Sequence, residues 1–194
     1  MAHYFKVVIK RLYIYLVCFL LDRELLSEPP LQFIKAFFLN FLLGSKISKL
    51  AVIMPGMNVR QWENLKIGPY CLIKKNVTID AQDKVSIGEG TILSTGVFIT
   101  TGSHDLSSLG PIHSPVNIGK GVFVGARAII LPGVNLGDHS VIGAGAVVTK
   151  DIPALAVAIG VPAVVKKKRK RPKTIWTVLG TINISTDIAK GNIS

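Results

Sequence analysis

The chain has 194 residues, of which 49% are hydrophobic, and its formal net charge is +12 at pH 7. This apolar content excludes a wholly disordered chain and suffices for one domain with its own core. The excess of Lys and Arg favours an anionic partner, such as nucleic acid, a phosphorylated cofactor or an acidic membrane surface, and composition alone does not choose among them.

The chain begins with a segment that is predicted to be helical. Residues 12–21 are all apolar and follow Lys6, Lys10 and Arg11, as in the opening of a signal peptide. They lead directly into Asp22, however, without small residues placed for cleavage. As a helix, the run would be about 15 Å long, about half the thickness of a bilayer core. We therefore predict a helix that lies on a protein or membrane surface and does not span a membrane.

A second helix is predicted over residues 31–43, with a start at 27–30 and with Gly44 placed to end it. With residues 5–21 it would make a helical pair, which accounts for a predicted N-terminal segment at 1–46. The pair either caps the open end of the structure that follows or docks on a membrane surface, and the sequence supports both interpretations.

From residue 47 onward, an aliphatic residue recurs every six positions, in groups of three. The recurring residues are Ile47, Ile53, Val59; Ile67, Ile73, Ile79; Ile87, Leu93, Ile99; Ile118, Val124, Ile130; Leu136, Ile142, Val148. A step of six fits neither a helix nor an alternating strand, and a β-sandwich gives no reason to keep this phase. The pattern predicts a triangular coil of short strands with the aliphatic side chains inward. Glycine often follows the aliphatic residue, which we attribute to corner backbone angles that other residues resist.

The repeat predicts about five stacked rungs, within a domain at 47–153, and one loop. Rung starts at 67 and 87 are twenty residues apart and those at 118 and 136 eighteen apart, whereas 87 and 118 are thirty-one apart. The excess predicts an excursion at about 105–117. His104 lies where this excursion begins. An imidazole readily acts as a base near neutral pH, and a histidine at the root of a loop beside a rigid coil is held more firmly than one on a free loop.

A C-terminal extension is predicted at 154–194, and it contains a basic run at 166–173. A nuclear signal or a nucleic-acid tail is the less favoured interpretation, because basic runs are usually solvated. Residues 174–194 have no clear period and receive no assignment.

Two stretches carry a resemblance to a known family: TGSHD at 101–105 and VNIGKGVFVGARAIILPGVNLGDHSVIGAGAVVTKDIP at 116–153. They resemble the hexapeptide-repeat O-acetyltransferases, in particular the maltose, nodulation-factor and colanic-acid biosynthesis group, over about residues 31–167. The resemblance implies a left-handed parallel β-helix and a homotrimer with active sites between neighbouring coils. It also implies transfer of an acetyl group from acetyl-CoA to a sugar or lipid-linked glycan acceptor in polysaccharide biosynthesis, without metal or nucleic acid. We expect a cytoplasmic enzyme, with peripheral contact to the inner face of the membrane as an option.

The resemblance also implies the catalytic and cofactor residues. The matching histidine is His104, a general base that takes a proton from the acceptor hydroxyl, which attacks the thioester without an acyl-enzyme. Neither Cys18 nor Cys71 belongs to a disulfide framework or a metal-ligand spacing, which favours a reducing compartment, and no Ser or Cys has the setting of an activated nucleophile. The positions matching cofactor contacts are Ala126, Ala144, Thr149 and Lys150, and Lys167 of the basic run is a further candidate for the CoA phosphates.

Lysine side chains near these positions suit the phosphates of CoA. Where relatives have VWIG, this chain has VFVG at 122–125, and where they have Arg after the final Pro-Ala or Pro-Cys, it has Val164. These departures bear on how tightly the nucleotide end of CoA is bound.

Three residues are weaker candidates for the acceptor. Asp80 and Gln82 precede the third rung and could lie near His104. Asp105 either orients His104 or caps the loop. Adjacent residues in an extended chain point apart, which favours the loop cap at least as much as the orienting role. His113 and His139 are interpreted as ordinary surface residues.

Other functions stay open at this point. Nucleotide-sugar N-acetyltransfer is close, because hydroxyl and amine acceptors can share one apparatus. A γ-type carbonic anhydrase would place three histidines on zinc, but His104, His113 and His139 offer no close pair in the register of the repeat. A structural solenoid without activity would not need TGSHD at the break.

Overall fold

The structure is a computed structural model, and it describes residues 32–170, 174–177 and 180–183. The predicted helix at 5–21 and the predicted start at 27–30 therefore lie outside the described residues. The second predicted helix is confirmed as α1 (Gln32–Leu43). None of the helices within the described ranges has both the length and the apolar character needed to cross a bilayer.

Fifteen short strands make five complete rungs with three strands each. The rungs are β1 (Lys46–Ile47), β2 (Val52–Ile53), β3 (Asn58–Arg60); β4 (Leu65–Ile67), β5 (Leu72–Ile73), β6 (Thr78–Asp80); β7 (Val85–Ile87), β8 (Ile92–Leu93), β9 (Phe98–Thr100); β12 (Val116–Ile118), β13 (Phe123–Val124), β14 (Ile129–Ile130); β15 (Asn135–Leu136), β16 (Val141–Ile142), β17 (Val147–Val148). A 3-10 turn, Trp62–Asn64, lies between the first and second rungs.

The rungs stack into a prism with three flat faces, which we name A, B and C. Face A is β1-β4-β7-β12-β15, face C is β3-β6-β9-β14-β17, and face B begins with β2-β5-β8-β13-β16. Within each of these series, neighbouring strands are parallel, and the repeated residues lie opposite one another, as Ile67 does to Ile87 and Ile118 to Leu136. The predicted parallel β-helix of about five rungs is confirmed.

Burial follows the six-residue step. Of the repeated aliphatic residues, Val59 is half-buried against the core and all the others are buried. Ile67, Ile87, Ile118, Val124 and Ile142 each have 2% or less of their surface exposed. The core is therefore one continuous column of stacked aliphatic side chains, covered at its N-terminal end by Ala36, Leu39 and Leu43 of α1.

The glycines after the aliphatic residues have a different role from the one predicted. Gly68 and Gly88 do not have a positive φ; a Cβ on Gly88 would lie 2.6 Å from backbone atoms of Gly119 on the next rung. The left-handed position comes three residues after the aliphatic residue, as at Gly90 with φ 65° and Gly121 with φ 60°. The residue after the aliphatic one is glycine because successive rungs approach closely there.

The loop excursion lies at 101–115, between β9 on face C and β12 on face A. It begins and ends earlier than predicted, because Val116 and Asn117 already pair with Val85 and Ser86 in face A. The excursion is an antiparallel hairpin of β10 (Gly102–His104) and β11 (Pro111–His113).

Beyond the fifth rung, the coil continues as part of a sixth. Ile152 bridges to Leu136, and β18 (Ala156–Ile159) adds a parallel strand to face B. The chain then turns back as β19 (Val164–Lys168), antiparallel to β18. Two short strands that had no assignment from sequence, β20 (Thr174–Thr177) and β21 (Gly180–Asn183), pair antiparallel.

Candidate active site

His104 lies at the end of β10, on the hairpin that leaves the prism where face C meets face A. We call this corner the C/A edge. The residue pairs across the hairpin with Pro111, and its side chain is exposed. In the part of the chain that the structure describes, no hydrogen bond or ion pair holds its imidazole. The ring is therefore open to a substrate from outside.

Asp80 and Gln82, the acceptor candidates, lie at the root of this hairpin. The side-chain amide of Gln82 donates a hydrogen bond of 2.9 Å to Asp80 Oδ2. The backbone N–H and the hydroxyl of Thr101 donate to the carbonyl oxygen of Asp80 at 3.1 Å and 3.0 Å. The same hydroxyl accepts a 2.8 Å bond from the N–H of Asp83. These bonds tie the start of the hairpin to the second rung.

Gln82 and His104 are on the same face of the hairpin. A side chain on Gly102 would collide with the amide of Gln82, whose Cδ would lie 2.8 Å from the added Cβ. Side chains two residues apart in a strand point to the same side, so His104 points to the side on which Gln82 lies. His113 is opposite Gly102 and shares this side, whereas Ser103 and Ile112 face the other way.

Asp105 caps the hairpin loop. One carboxylate oxygen accepts from the N–H of Ser107 at 3.0 Å and that of Ser108 at 2.8 Å, and from both serine hydroxyls. These bonds favour the charged form, with the Ser107 hydroxyl first in importance, and they hold the pKa of Asp105 well below its usual range. Of the two roles open from sequence, the contacts support the loop cap.

Two of the candidate cofactor residues stack at the corner between faces B and C, which we call the B/C edge. Ala126 and Ala144 are exposed there on successive rungs. The N–H of Gly145 donates to the carbonyl of Ala126 at 2.8 Å, and a side chain on Gly125 would collide with the backbone N of Ala144. The edge therefore presents small side chains and backbone groups.

The other cofactor candidates lie elsewhere on the chain. Thr149 and Lys150 are exposed directly after β17, at the C/A edge, and Lys167 is exposed on β19 beside Val157. Face C separates Lys150 from Ala144. A single chain therefore does not gather the five candidates into one cleft.

Cys71 is not a nucleophile in this fold. Its thiol is fully buried and donates to the carbonyl oxygen of Gly88 at 3.0 Å. Burial raises the pKa of Cys71 to about 12, so the thiolate is absent near neutral pH.

Two further features lie away from the hairpin. His139, interpreted as a surface residue, has only 9% of its surface exposed, because it sits over Gly121 of the preceding rung; that interpretation is wrong. Face A carries a shallow depression of about 480 Å³ over Asn117, Asn135 and Asp151. Their side chains already hydrogen-bond to one another, so the depression has no free base. Over the described ranges, no three potential metal ligands come together.

Sequence reasoning missed Arg60. It lies beside Asp80 at the end of β3, and its Nε is 3.6 Å from Asp80 Oδ1. The signal was present in the sequence, because Arg60, Asp80 and Thr100 are each twenty residues apart, which is the spacing of the early rungs.

Comparisons with known proteins agree with this geometry. A family model described as the hexapeptide repeat of succinyl-transferase matches residues 115–150. The chain is 34% identical over 137 residues to a putative colanic acid biosynthesis acetyltransferase of Escherichia coli K12, covering 68% of this chain and 74% of that protein. It belongs to the hexapeptide-repeat acetyltransferase family.

Two galactoside acetyltransferases extend the likeness. The galactoside O-acetyltransferase of Escherichia coli K12 is 37% identical over 133 residues, which is 66% of either chain. A galactoside acetyltransferase solved in complex with coenzyme A has a TM-score of 0.70 at 30% identity, and the match covers 82% of this chain and 80% of that one. The protein is thus a hexapeptide-repeat acetyltransferase.

Proposed function

We propose that this acetyltransferase moves the acetyl group of acetyl-CoA to a hydroxyl of a sugar or glycan precursor, with His104 as general base. The observation that carries the proposal is the position of His104, on an exposed hairpin face that also bears Gln82. The relatives named for galactosides and colanic acid support a sugar acceptor.

The reaction follows from the groups on the hairpin. One imidazole nitrogen of His104 takes the proton of the acceptor hydroxyl as its oxygen attacks the thioester carbonyl carbon. A C–O bond forms, the C–S bond breaks, and the CoA sulfur leaves with the electron pair and receives the proton from the imidazolium. Such a base contributes roughly 100- to 10,000-fold in rate. The burial of Cys71 supports direct attack over an acyl-enzyme.

The residues proposed for the donor fit its chemistry. Ala126 and Ala144 leave room along the B/C edge for a slender chain that bonds to backbone groups. Thr149 and Lys150 at the C/A edge and Lys167 on β19 are exposed, and the two lysines suit phosphate oxygens. The acceptor would lie against Asp80 and Gln82.

A homotrimer is part of the proposal. His104 is at the C/A edge and Ala144 at the B/C edge of one chain, so a second copy can bring its own B/C edge to the hairpin. Exposed aromatic side chains on faces C and B, Phe98 at 37% and Phe123 at 39%, support contact through these faces. Peripheral contact with a membrane through the segment at 1–46 stays a prediction, since most of that segment lies outside the described residues.

The test separates turnover from donor binding. We expect His104→Ala to lower the acetylation rate at saturating acetyl-CoA by roughly 100-fold or more and to leave CoA affinity nearly unchanged, since a base acts on the acceptor hydroxyl. Lys150→Ala should do the reverse, weakening CoA with a smaller effect at saturation. His113→Ala should be mild, and Ser103→Ala, on the side of the hairpin away from His104, is the matched control. Steady-state rates and calorimetric CoA titration measure both; near-normal turnover in His104→Ala would contradict the assignment.

A further inference from the structure

Three residues form an outward column at the end of face C, close to the C/A edge. Arg60 lies opposite Asp80 in the pairing of β3 with β6, and Asp80 lies opposite Thr100 in the pairing of β6 with β9. Residues opposite one another in parallel strands point to the same side of a sheet. The Arg60 side chain is 67% exposed and that of Asp80 is 17% exposed, so the guanidinium is the outermost group.

The guanidinium forms an ion pair with Asp80 but no hydrogen bond. Its Nε is 3.6 Å from Asp80 Oδ1, which is too long for a hydrogen bond. Asp80 Oδ1 is buried and has no hydrogen-bond partner, while Oδ2 accepts from Gln82. Within the described part of the chain, the guanidinium donates no hydrogen bond. Its fork of donors is therefore available to a ligand.

A chain of contacts leads from Arg60 to the candidate base. Arg60 neighbours Asp80, Asp80 accepts from Gln82, and Gln82 lies against Gly102 on the hairpin side that His104 faces. Neighbouring strands are about 4.8 Å apart, so the backbone at Arg60 is about 10 Å from that at Thr100, where the hairpin begins. His104 lies four residues further along the hairpin, so an acceptor with its hydroxyl at His104 meets the Arg60 side chain when its anionic group points back toward the hairpin root.

We propose that Arg60 binds an anionic group of the acceptor, a carboxylate or a phosphate, so that the substrate is an acidic or phosphorylated sugar. Guanidinium donors match either anion in a two-point geometry. Asp80 alone would repel such a group, and Arg60 offsets that negative charge and presents the donors that an anion binds. The inference rests on the proposed function, since it assigns the acceptor of the same site.

The test uses galactose derivatives with the same ring hydroxyls and different anomeric groups: methyl, carboxymethyl and phosphate. Galacturonic acid serves as a further acid. We expect the wild type to prefer the carboxymethyl or phosphate derivative, and the comparison of those two identifies which anion is read. Arg60→Gln should lower kcat/KM for the preferred anionic derivative roughly 10- to 100-fold, chiefly through KM, and change the methyl galactoside little. Arg60→Lys should restore part of the preference.

Lys66→Gln is the matched control. Lys66 is exposed on β4 in face A, so the variant loses one positive charge without touching the column. It should keep the wild-type ratio between anionic and neutral acceptors. If it shifted the ratio as Arg60→Gln does, net charge and not the column would set the preference, and the inference would be overturned.

Ligand-observed NMR on the CoA-saturated protein gives a readout that is independent of turnover. Binding of the anionic sugars that is lost in Arg60→Gln, without acetylation of any sugar, would support the inference and contradict the proposed function. Acetylation of neutral and anionic sugars alike, with equal losses in Arg60→Gln, would keep the proposed function and overturn the inference.

Discussion

Asp105 follows the candidate base in sequence, yet its hydrogen bonds serve the backbone of the loop. Its carboxylate gathers the N–H groups of Ser107 and Ser108, and the N–H of Leu109 bonds to its carbonyl at 2.8 Å. Charged acceptors strengthen such bonds. Asp105 therefore affects catalysis through the order of the hairpin, and proton transfer is left to His104.

The first prediction concerns pH. The pKa of Asp105 is lowered from 3.8, so its contribution to loop order is complete above pH about 4 and is lost only as pH falls through the lowered pKa. We expect Asp105→Asn to leave the acid limb of kcat/KM between pH 5 and 8 in place. Asp105→Ala should accelerate amide exchange at Ser107 and Ser108 several-fold. A shift of the limb in Asp105→Asn would mean that the Asp105 carboxylate acts on the catalytic base and not only on the loop.

Whether a residue's position could be predicted from sequence depended on whether it belongs to the repeat. Burial in a stacked coil is one-dimensional, because each inward residue touches only its neighbours on adjacent rungs, so a fixed step predicts Ile118 and Ile142 correctly. The hairpin is not periodic. The spacing of the repeat gives the length of the hairpin but not which of its residues pair. The contact between Gly102 and Gln82 could therefore not be predicted from the repeat. Arg60 was missed because its place beside Asp80 and Thr100 at the end of face C becomes visible only when the three faces of the prism are known.

At the scale of the element, the close approach of adjacent rungs limits which residues each rung can have at its corners. The glycine after the inward residue lets two backbones meet at one corner, as at Gly88 under Gly119. The polar residues of face A add a second tie between rungs: the Asn117 amide donates to Asn135 at 2.9 Å, and Asn135 donates to Asp151. Both features hold the strands of adjacent rungs in register.

The second prediction tests this close approach. An added Cβ on Gly88 would lie 2.6 Å from the Gly119 carbonyl, so the rungs must separate, and we expect Gly88→Ala to cost about 1–3 kcal/mol. Gly110→Ala is the control, because its nearest neighbour is the Ser108 hydroxyl at 3.2 Å and its φ is ordinary. That change should stay within about 0.5 kcal/mol. Urea unfolding of both variants decides, and equal losses would contradict the role assigned to close rung contact.

At the scale of the whole molecule, the three faces differ in polarity. Face A shows outward Ser86, Asn117 and Asn135 joined by hydrogen bonds, which suits contact with water. Faces B and C show outward Phe123 and Phe98, each more than a third exposed. Association through B and C would bury these rings and leave face A in solvent. It would also bring the C/A edge of one copy toward the B/C edge of another.

The last prediction follows from that arrangement, in which each active site takes His104 from one chain and the slot at Ala126 and Ala144 from the next. Ala144→Trp should block the slot, since Ala144 is exposed and a large ring there need not disturb the core. His104→Ala and Ala144→Trp should each be nearly inactive alone. Co-expressed and purified through different tags, the mixed trimers should regain about a third of wild-type turnover, because every ring that contains both variants has one site of three with an intact base and an intact slot. If the base and the slot belonged to the same chain, mixing would restore nothing, and the hairpin would have to serve its own B/C edge.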